Sequence, residues 1–294
     1  MILSSKSVLF LLFFGAIVRA VSAQDLLDLV EDNKQEKEFV SAAYKSTRVI
    51  NTHSTEFLGA GVLDVRILHR FGLVSGGVQN LFGLDQANMR LGFDYGITKR
   101  LMIGIGRSNV NRELDGFVKY RLLWQAKGPR ASPVSVVLIA GSTLNTMPED
   151  PTRVNYFTSR LAYYFQLAIS RKFNERLTLQ LTPGVVHYNL VAAANDYNDI
   201  PAVGVGGRFK VSKRIALNWD YQYVNSFFLP STYHSYAGIG VDIETGGHVF
   251  QLHFTNSVGM NERAFITRTT EQLSRMNIRF GFNLSRVFTV VKKK

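Results

Sequence analysis

Cysteine is absent from all 294 residues. That absence excludes disulfides, a lipid-bearing cysteine and any thiolate metal site. Beyond the N-terminus there is also no uninterrupted apolar run of the ~20 residues that a membrane-spanning helix needs. Acids are scarce relative to bases, 22 Asp+Glu against 34 Lys+Arg, for a formal charge of +12. Such an excess raises the question of nucleic acid. Much of it, however, falls in short turns (Lys99-Arg100, Lys127 and Arg130, Lys172 and Arg176, Lys213-Arg214) and in the tail Lys292-Lys293-Lys294. This placement describes a solvated rim near a membrane, and no nucleic-acid partner is expected.

What the chain does have is alternation. In Gln86 to Arg107, QANMRLGFDYGITKRLMIGIGR, the residues Ala87, Met89, Leu91, Phe93 and Tyr95 occupy every second position, opposite Asn88, Arg90, Gly92 and Asp94. The chain turns at Ile97-Thr98-Lys99-Arg100 and resumes with Leu101, Ile103 and Ile105 opposite Met102, Gly104 and Gly106. A period of two places the sets on opposite faces of a β-hairpin, one apolar and one polar or small. The pattern recurs almost to the C-terminus in strands of about ten residues, the length a tilted strand needs to cross a bilayer. The predicted fold is therefore all-β: a closed up-and-down antiparallel transmembrane β-barrel, apolar outside and polar within.

Residues 1–23 have the layout of a cleaved signal peptide, with Lys6 and no acid, an apolar stretch over 8–18, and Val21-Ser22-Ala23 before Gln24. Cleavage there leaves a charge of +10. Residues 24–58 are expected to form a periplasmic N-terminal extension, with a plug or a docking segment for a periplasmic partner as the functional alternative. Within it, Arg48 to Ser54 is β-like but polar on both faces and is assigned as an accessory segment. The barrel is expected over 59–288, followed by a basic tail at 289–294.

Twelve strands are counted from Val62. Five connections are short (97–100, 125–132, 172–176, 212–214 and 245–247), and six longer ones interleave with them (72–85, 108–115, 145–155, 189–200, 225–235 and 257–275). Short periplasmic turns alternating with longer extracellular loops are the pattern of an up-and-down barrel, and the count begins and ends on the short side. An outer-membrane location with both termini periplasmic follows as an expectation. Tyr95, Trp124, Trp219, Tyr221, Tyr223, Phe280 and Phe282 lie toward strand ends, as in an interfacial girdle.

Several stretches resemble domain-of-unknown-function family 5777, a group of outer-membrane barrels of Bacteroidetes type. They are FGLD and QAN (82–88), RLGFDYGIT (90–98), GIGRS (104–108), DGFVKYRLL (115–123), HVFQLHFTNSVGM (248–260) and RFGFNLSRVF (279–288). The resemblance implies an outer-membrane barrel and brings no activity and no site. The tail after Phe288 departs from barrels that end on an aromatic read by the assembly machinery, so that signal would be internal here.

Strand parity places Arg66, Arg70, Arg90, Lys119, Arg121, Arg160, Arg208, Lys210 and Arg279 in the lumen, with Asp64, Asp94, Asp220, Asp242 and Glu244. These charges either pair into a network that fills the barrel or line a path for an anionic solute. Arg107 points outward at the rim, where it either pairs with lipopolysaccharide phosphates or only snorkels. His248 and His253 have opposite parity and cannot share a metal. His253 is inward near Thr255, Asn256 and Ser257, the residue types of a lipid-modifying enzyme but without evidence of its geometry. Gly104-Ile105-Gly106 and Gly204-Val205-Gly206-Gly207 precede no helix, so a phosphate loop is rejected.

The leading functional expectation is a narrow pore or solute-binding transporter with a basic lumen. The alternatives are a lipid-modifying barrel enzyme and a plugged accessory barrel that binds partners through its loops or N-terminal extension. Expected contacts are outer-membrane lipid, lipopolysaccharide and the barrel-assembly machinery. No cofactor or metal is implied.

Overall fold

A computed structural model describes residues 37–148, 154, 156–245 and 248–291. The expected signal peptide, the first part of the expected extension and the terminal lysines lie outside the described residues. Twelve strands close into one barrel: β1 Val62–Leu73, β2 Ala87–Gly96, β3 Leu101–Ser108, β4 Glu113–Leu123, β5 Ser135–Asn145, β6 Leu161–Lys172, β7 Leu177–Tyr188, β8 Asp199–Lys210, β9 Ile215–Val224, β10 Tyr236–Thr245, β11 His248–Thr255 and β12 Arg279–Thr289. Each pairs antiparallel with its chain neighbour, and β12 closes on β1 in a register running from Thr289↔Val62 to Arg279↔Leu73.

The short turns are tied locally. Thr98 Oγ1 accepts from the amides of Arg100 and Leu101 at 3.0 and 2.9 Å. Asn174 Oδ1 does the same for Arg176 and Leu177 at 2.8 and 2.9 Å, and Ser212 Oγ for Arg214 and Ile215 at 3.3 and 3.1 Å. A short polar side chain that takes two backbone donors is why these residue types end strands.

Outward positions are large, apolar and uncovered by protein, as at Ile105, Val118, Phe165 and Ile239. A lipid-facing band requires this. Two strand starts differ most from the sequence reading. β4 begins at Glu113, so the second long connection shrinks to residues 109–112. β6 begins at Leu161, after a 3-10 turn over Phe157–Arg160.

The inner face is not uniformly polar, contrary to expectation. Met102, Phe117, Val137, Ile139, Tyr164 and Val186 are buried together with Phe265 and Ile266. The last two belong to helix α1, Glu262–Thr267, whose six residues are all buried. It sits in the connection between β11 and β12, and Asn261 caps it by accepting from the Ala264 amide at 2.9 Å.

Close to this apolar wall, glycine makes room for charge. A Cβ on Gly106 would stand 2.2 Å from Arg90 Nη2. Arg90 is fork-bound to Asp115, with Nε to Oδ1 at 2.9 Å and Nη2 to Oδ2. Replacing Gly106 with valine must push the guanidinium off that carboxylate. Separating a buried pair is costly, so a loss on the order of 3 kcal/mol is expected. Urea unfolding followed by gel heat-modifiability measures it. The loss should shrink sharply in an Arg90→Met/Asp115→Leu background; an equal loss in both backgrounds would show that Gly106 serves the backbone alone.

Candidate functional site

The lumen is occupied by the chain itself. Residues 43–44 and 47–55 are buried, although the sequence reading took 24–58 first as a periplasmic extension, with a plug as the alternative. Val49 N donates to Thr52 O at 2.8 Å and Ser54 N to Thr47 O at 3.0 Å, making a tight hairpin around an Arg48↔His53 bridge. The physical reason for the misplacement is that a peptide enclosed by polar walls needs no apolar face. Polarity on both sides, which looked accessory, suits this environment.

The walls bind the hairpin through main chain as much as side chain. Asp220 Oδ2 accepts from the consecutive amides of Ile50, Asn51 and Thr52 at 3.4, 3.0 and 2.9 Å. Its other oxygen accepts from Tyr236 OH at 2.6 Å. Hairpin carbonyls are met in turn. Gln251 Nε2 donates to Val49 O at 2.5 Å, Asn283 Nδ2 to Ile50 O at 3.2 Å and Gln180 Nε2 to His53 O at 2.7 Å.

The lumenal bases serve the same segment. Arg66 Nη1 donates to Ser46 Oγ and Thr47 Oγ1 at 2.7 and 3.0 Å. Arg70 Nη2 reaches Asn51 Oδ1 at 2.5 Å. Lys119 Nζ donates to Glu56 O at 2.6 Å, and Arg121 Nη2 to Thr55 O at 3.2 Å while its guanidinium lies 3.9 Å from the Trp124 ring centroid.

One sequence-predicted lumenal base stands among the loops, and two keep inward parity at the strand ends. Arg160 precedes β6 and donates to Met147 O among the loops. Lys210 is half-buried at the end of β8. Arg279, also half-buried at the start of β12, pairs with Glu271 at 2.8 Å. Glu244 is likewise at the rim, 2.9 Å from Lys45.

The sequence reading missed Glu113 and Asp115, which become inward once β4 is extended by two alternations. Counting buried groups on the strands, Arg66, Arg70, Arg90, Lys119, Arg121 and Arg208 face Asp64, Asp94, Glu113, Asp115, Asp220 and Asp242. Six bases against six acids replace the expected nine-to-five excess, because Glu113 and Asp115 enter the buried set while Arg160, Lys210, Arg279 and Glu244 stay out of it.

From the long-loop end, α1 reaches down to the hairpin. Glu262 Oε1 pairs with Arg48 Nη1, and His53 Nε2 lies 3.1 Å from the same oxygen, out of line for a hydrogen bond. Arg48 also donates to Asn51 O at 3.1 Å. Burial pushes the His53 ring down to about 3, helped by the neighbouring Arg48 charge. Burial would raise Glu262, but Arg48 and then His53 overcome it and hold the carboxyl well below its ordinary range. Arg263, next in the helix, pairs with Glu113, which also accepts from Asn261 Nδ2 at 2.7 Å.

His253 is inward and buried, but neither ring nitrogen has a hydrogen-bond partner among the described residues. The nearby hydroxyls face backbone instead: Thr255 Oγ1 accepts from Ser257 N and Ser257 Oγ from Gly259 N, each at 3.1 Å. Arg107 points outward as expected and donates to Thr146 Oγ1 at 3.1 Å.

Among solved structures the chain is similar to the NanC porin (9% identity, 76% of this chain and 98% of that one, TM-score 0.47). It is also similar to the KdgM porin (9%, 77% and 99%, TM-score 0.48) and to the CymD monoaromatic hydrocarbon channel (10%, 79% and 89%, TM-score 0.36). At these values the likeness is one of general architecture. The comparison with curated proteins finds no match. The description "Membrane bound beta barrel domain (DUF5777)" fits residues 44–288, a span that begins just before the lumenal hairpin and takes in all but the last residue of the closing strand, and the chain belongs to that family.

Proposed function

We propose that this protein is an outer-membrane barrel that is closed at rest by its own N-terminal segment, and that a small polar solute passes only when the segment is withdrawn. The hairpin's polar attachment to the walls carries this reading. A filling meant to be permanent gains more from well-packed apolar side chains than from buried charges and amides. Here the hairpin's main chain is held by wall hydrogen bonds that water could replace once the segment moves, beside the contacts of Arg48 and His53 with the Phe117 ring.

The segment also has a continuous path to the short-turn end, which we take as periplasmic. Glu38–Phe39 pairs with Ala126–Lys127, Phe39 packs on Trp124 at 4.9 Å between centroids, and Trp124 Nε1 donates to Val40 O at 2.8 Å. A periplasmic partner that seized the residues ahead of this clasp would be in position to draw the hairpin out. With equal numbers of buried acids and bases on the walls, the emptied lumen is expected to discriminate weakly between anions and cations.

Planar-bilayer recordings test the reading. The refolded full-length protein should be insulating. A variant lacking residues 37–58, with the loop 257–269 replaced by a short Gly-Ser linker, should show stable single-channel steps. Steady conduction by the intact protein would end the closed-at-rest idea. An insulating double deletion that remains folded would instead favour a barrel whose loops serve partner proteins.

A further inference from the structure

A pocket opens at the long-loop end, beyond the hairpin and outside its contacts. It is an open concavity spanning about 390 Å³, solvent at its mouth included, between the end of β7, the connection after it, the connection after β9, and the residue that follows α1. Its walls include Tyr188, Tyr197, Phe228, Tyr233 and Arg268. Tyr197 and Phe228 are 5.2 Å apart between centroids at 68°, so they form a fixed aromatic corner.

Arg268 is held there without an acid. Its guanidinium lies 5.2 Å from the Tyr188 ring centroid and 6.0 Å from that of Tyr233. Nε donates to Tyr188 OH at 3.3 Å. No ion pair or hydrogen bond engages its two terminal nitrogens among the described residues. Asp196, the acid in the pocket wall, accepts from the Ala193 amide at 3.0 Å. Arg263, five residues earlier and inside the helix, is by contrast committed to Glu113.

An arginine fixed by aromatic faces with its fork unspent is organised for two parallel bonds to a carboxylate. An apolar concavity with a few convergent polar groups is the usual form of a small-ligand site. We propose that this pocket binds a small ring-shaped carboxylate, with the ring against the Tyr197–Phe228 corner and the carboxylate on the Arg268 guanidinium. An aromatic acid and a sugar acid share that chemistry, since aromatic faces accept either a planar ring or the C–H face of a sugar. The site does not depend on the hairpin ever leaving the lumen.

Calorimetric titration of the refolded full-length protein in detergent decides the matter, using benzoate and glucuronate as probes and benzamide and glucose as their uncharged counterparts. At least one acid should bind, and its counterpart should bind at least tenfold more weakly. Arg268→Gln should weaken the acid at least tenfold. Tyr197→Ala should also weaken it several-fold while Arg268 remains in place. Both variants are first shown to be folded by heat-modifiability, and because Tyr197 sits in an exposed connection its variant serves if the arginine variant fails to fold. Binding of benzoate but not glucuronate assigns an aromatic ring, and the reverse assigns a sugar. The proposal is overturned if neither acid binds, if the folded variants bind as well as the native protein, or if inorganic phosphate binds as tightly as either acid.

Discussion

Replacing Asp220 with alanine should loosen the lumenal hairpin more than any other single substitution on the wall. Three consecutive amides and the Tyr236 hydroxyl converge on its carboxylate. A hydrogen bond to a charged group contributes ~1.5–3 kcal/mol, and buried donors left without an acceptor add their own penalty. A loss on the order of 4 kcal/mol corresponds to roughly a thousandfold rise in the open fraction. The absence of native cysteine makes this easy to measure. Val49 is buried and uses only its backbone in hydrogen bonds, so Val49→Cys introduces a quiet reporter. Its modification by a small thiol reagent should be slow in the native background and about a thousandfold faster with Asp220→Ala. Equal rates in the two backgrounds would remove Asp220 as the anchor.

Acid should loosen the same segment through the group joining it to α1. His53 is neutral in the folded chain, with its proton affinity lowered to about 3 by burial and Arg48. Unfolded, the ring titrates near 6.5. A lowered histidine contributes its full stability above 6.5 and loses it progressively as pH falls toward 3. Glu262, held below its ordinary range, contributes stability above about 4.5 that is lost below it, so the two losses have the same sign. Each unit of displacement is worth about 1.4 kcal/mol, which makes His53 alone capable of several kcal/mol. Hydrogen exchange of the amides over 47–55, corrected for the intrinsic pH dependence, should show an opening free energy that falls from pH 6.5 downward. In His53→Phe the decline should begin only in the ordinary carboxylate range. A flat profile in the native protein, or an unchanged one in the variant, would show that the hairpin does not sense this ring.

The strands were legible because a lipid-facing residue at every second position leaves a period that neither turns nor loops imitate. That is why Arg66, Arg70, Arg90, Lys119, Arg121 and Arg208 were placed inside from parity alone and are buried. Strand ends were less legible. Glu113 and Asp115 continue the parity of Phe117 and Lys119, but their acidity and the neighbouring Gly116 looked like loop. Extending β4 over them adds two acids, and the placement of Arg160, Lys210, Arg279 and Glu244 at the barrel's ends removes the rest of the expected basic excess. The contents of the barrel were least legible of all. Hairpin 47–54 and α1 owe their conformation to walls supplied by distant strands, as with Asp220 at 168 residues' separation from Thr52. Periodicity is a local signal, and it carries no trace of a contact made at that range.

Helix α1 has one further consequence. Its first residue grips the hairpin through Arg48, and the residue that follows its last turn lines the aromatic pocket. Two sites that share one six-residue rod are subject to reciprocity. If withdrawal of the hairpin changes affinity at the mouth tenfold, occupation of the mouth must shift the hairpin's equilibrium by the same tenfold, about 1.4 kcal/mol. The barrel would then be a two-input device, in which a molecule at the long-loop mouth and a pull at the short-turn end are weighed against each other on a single lever.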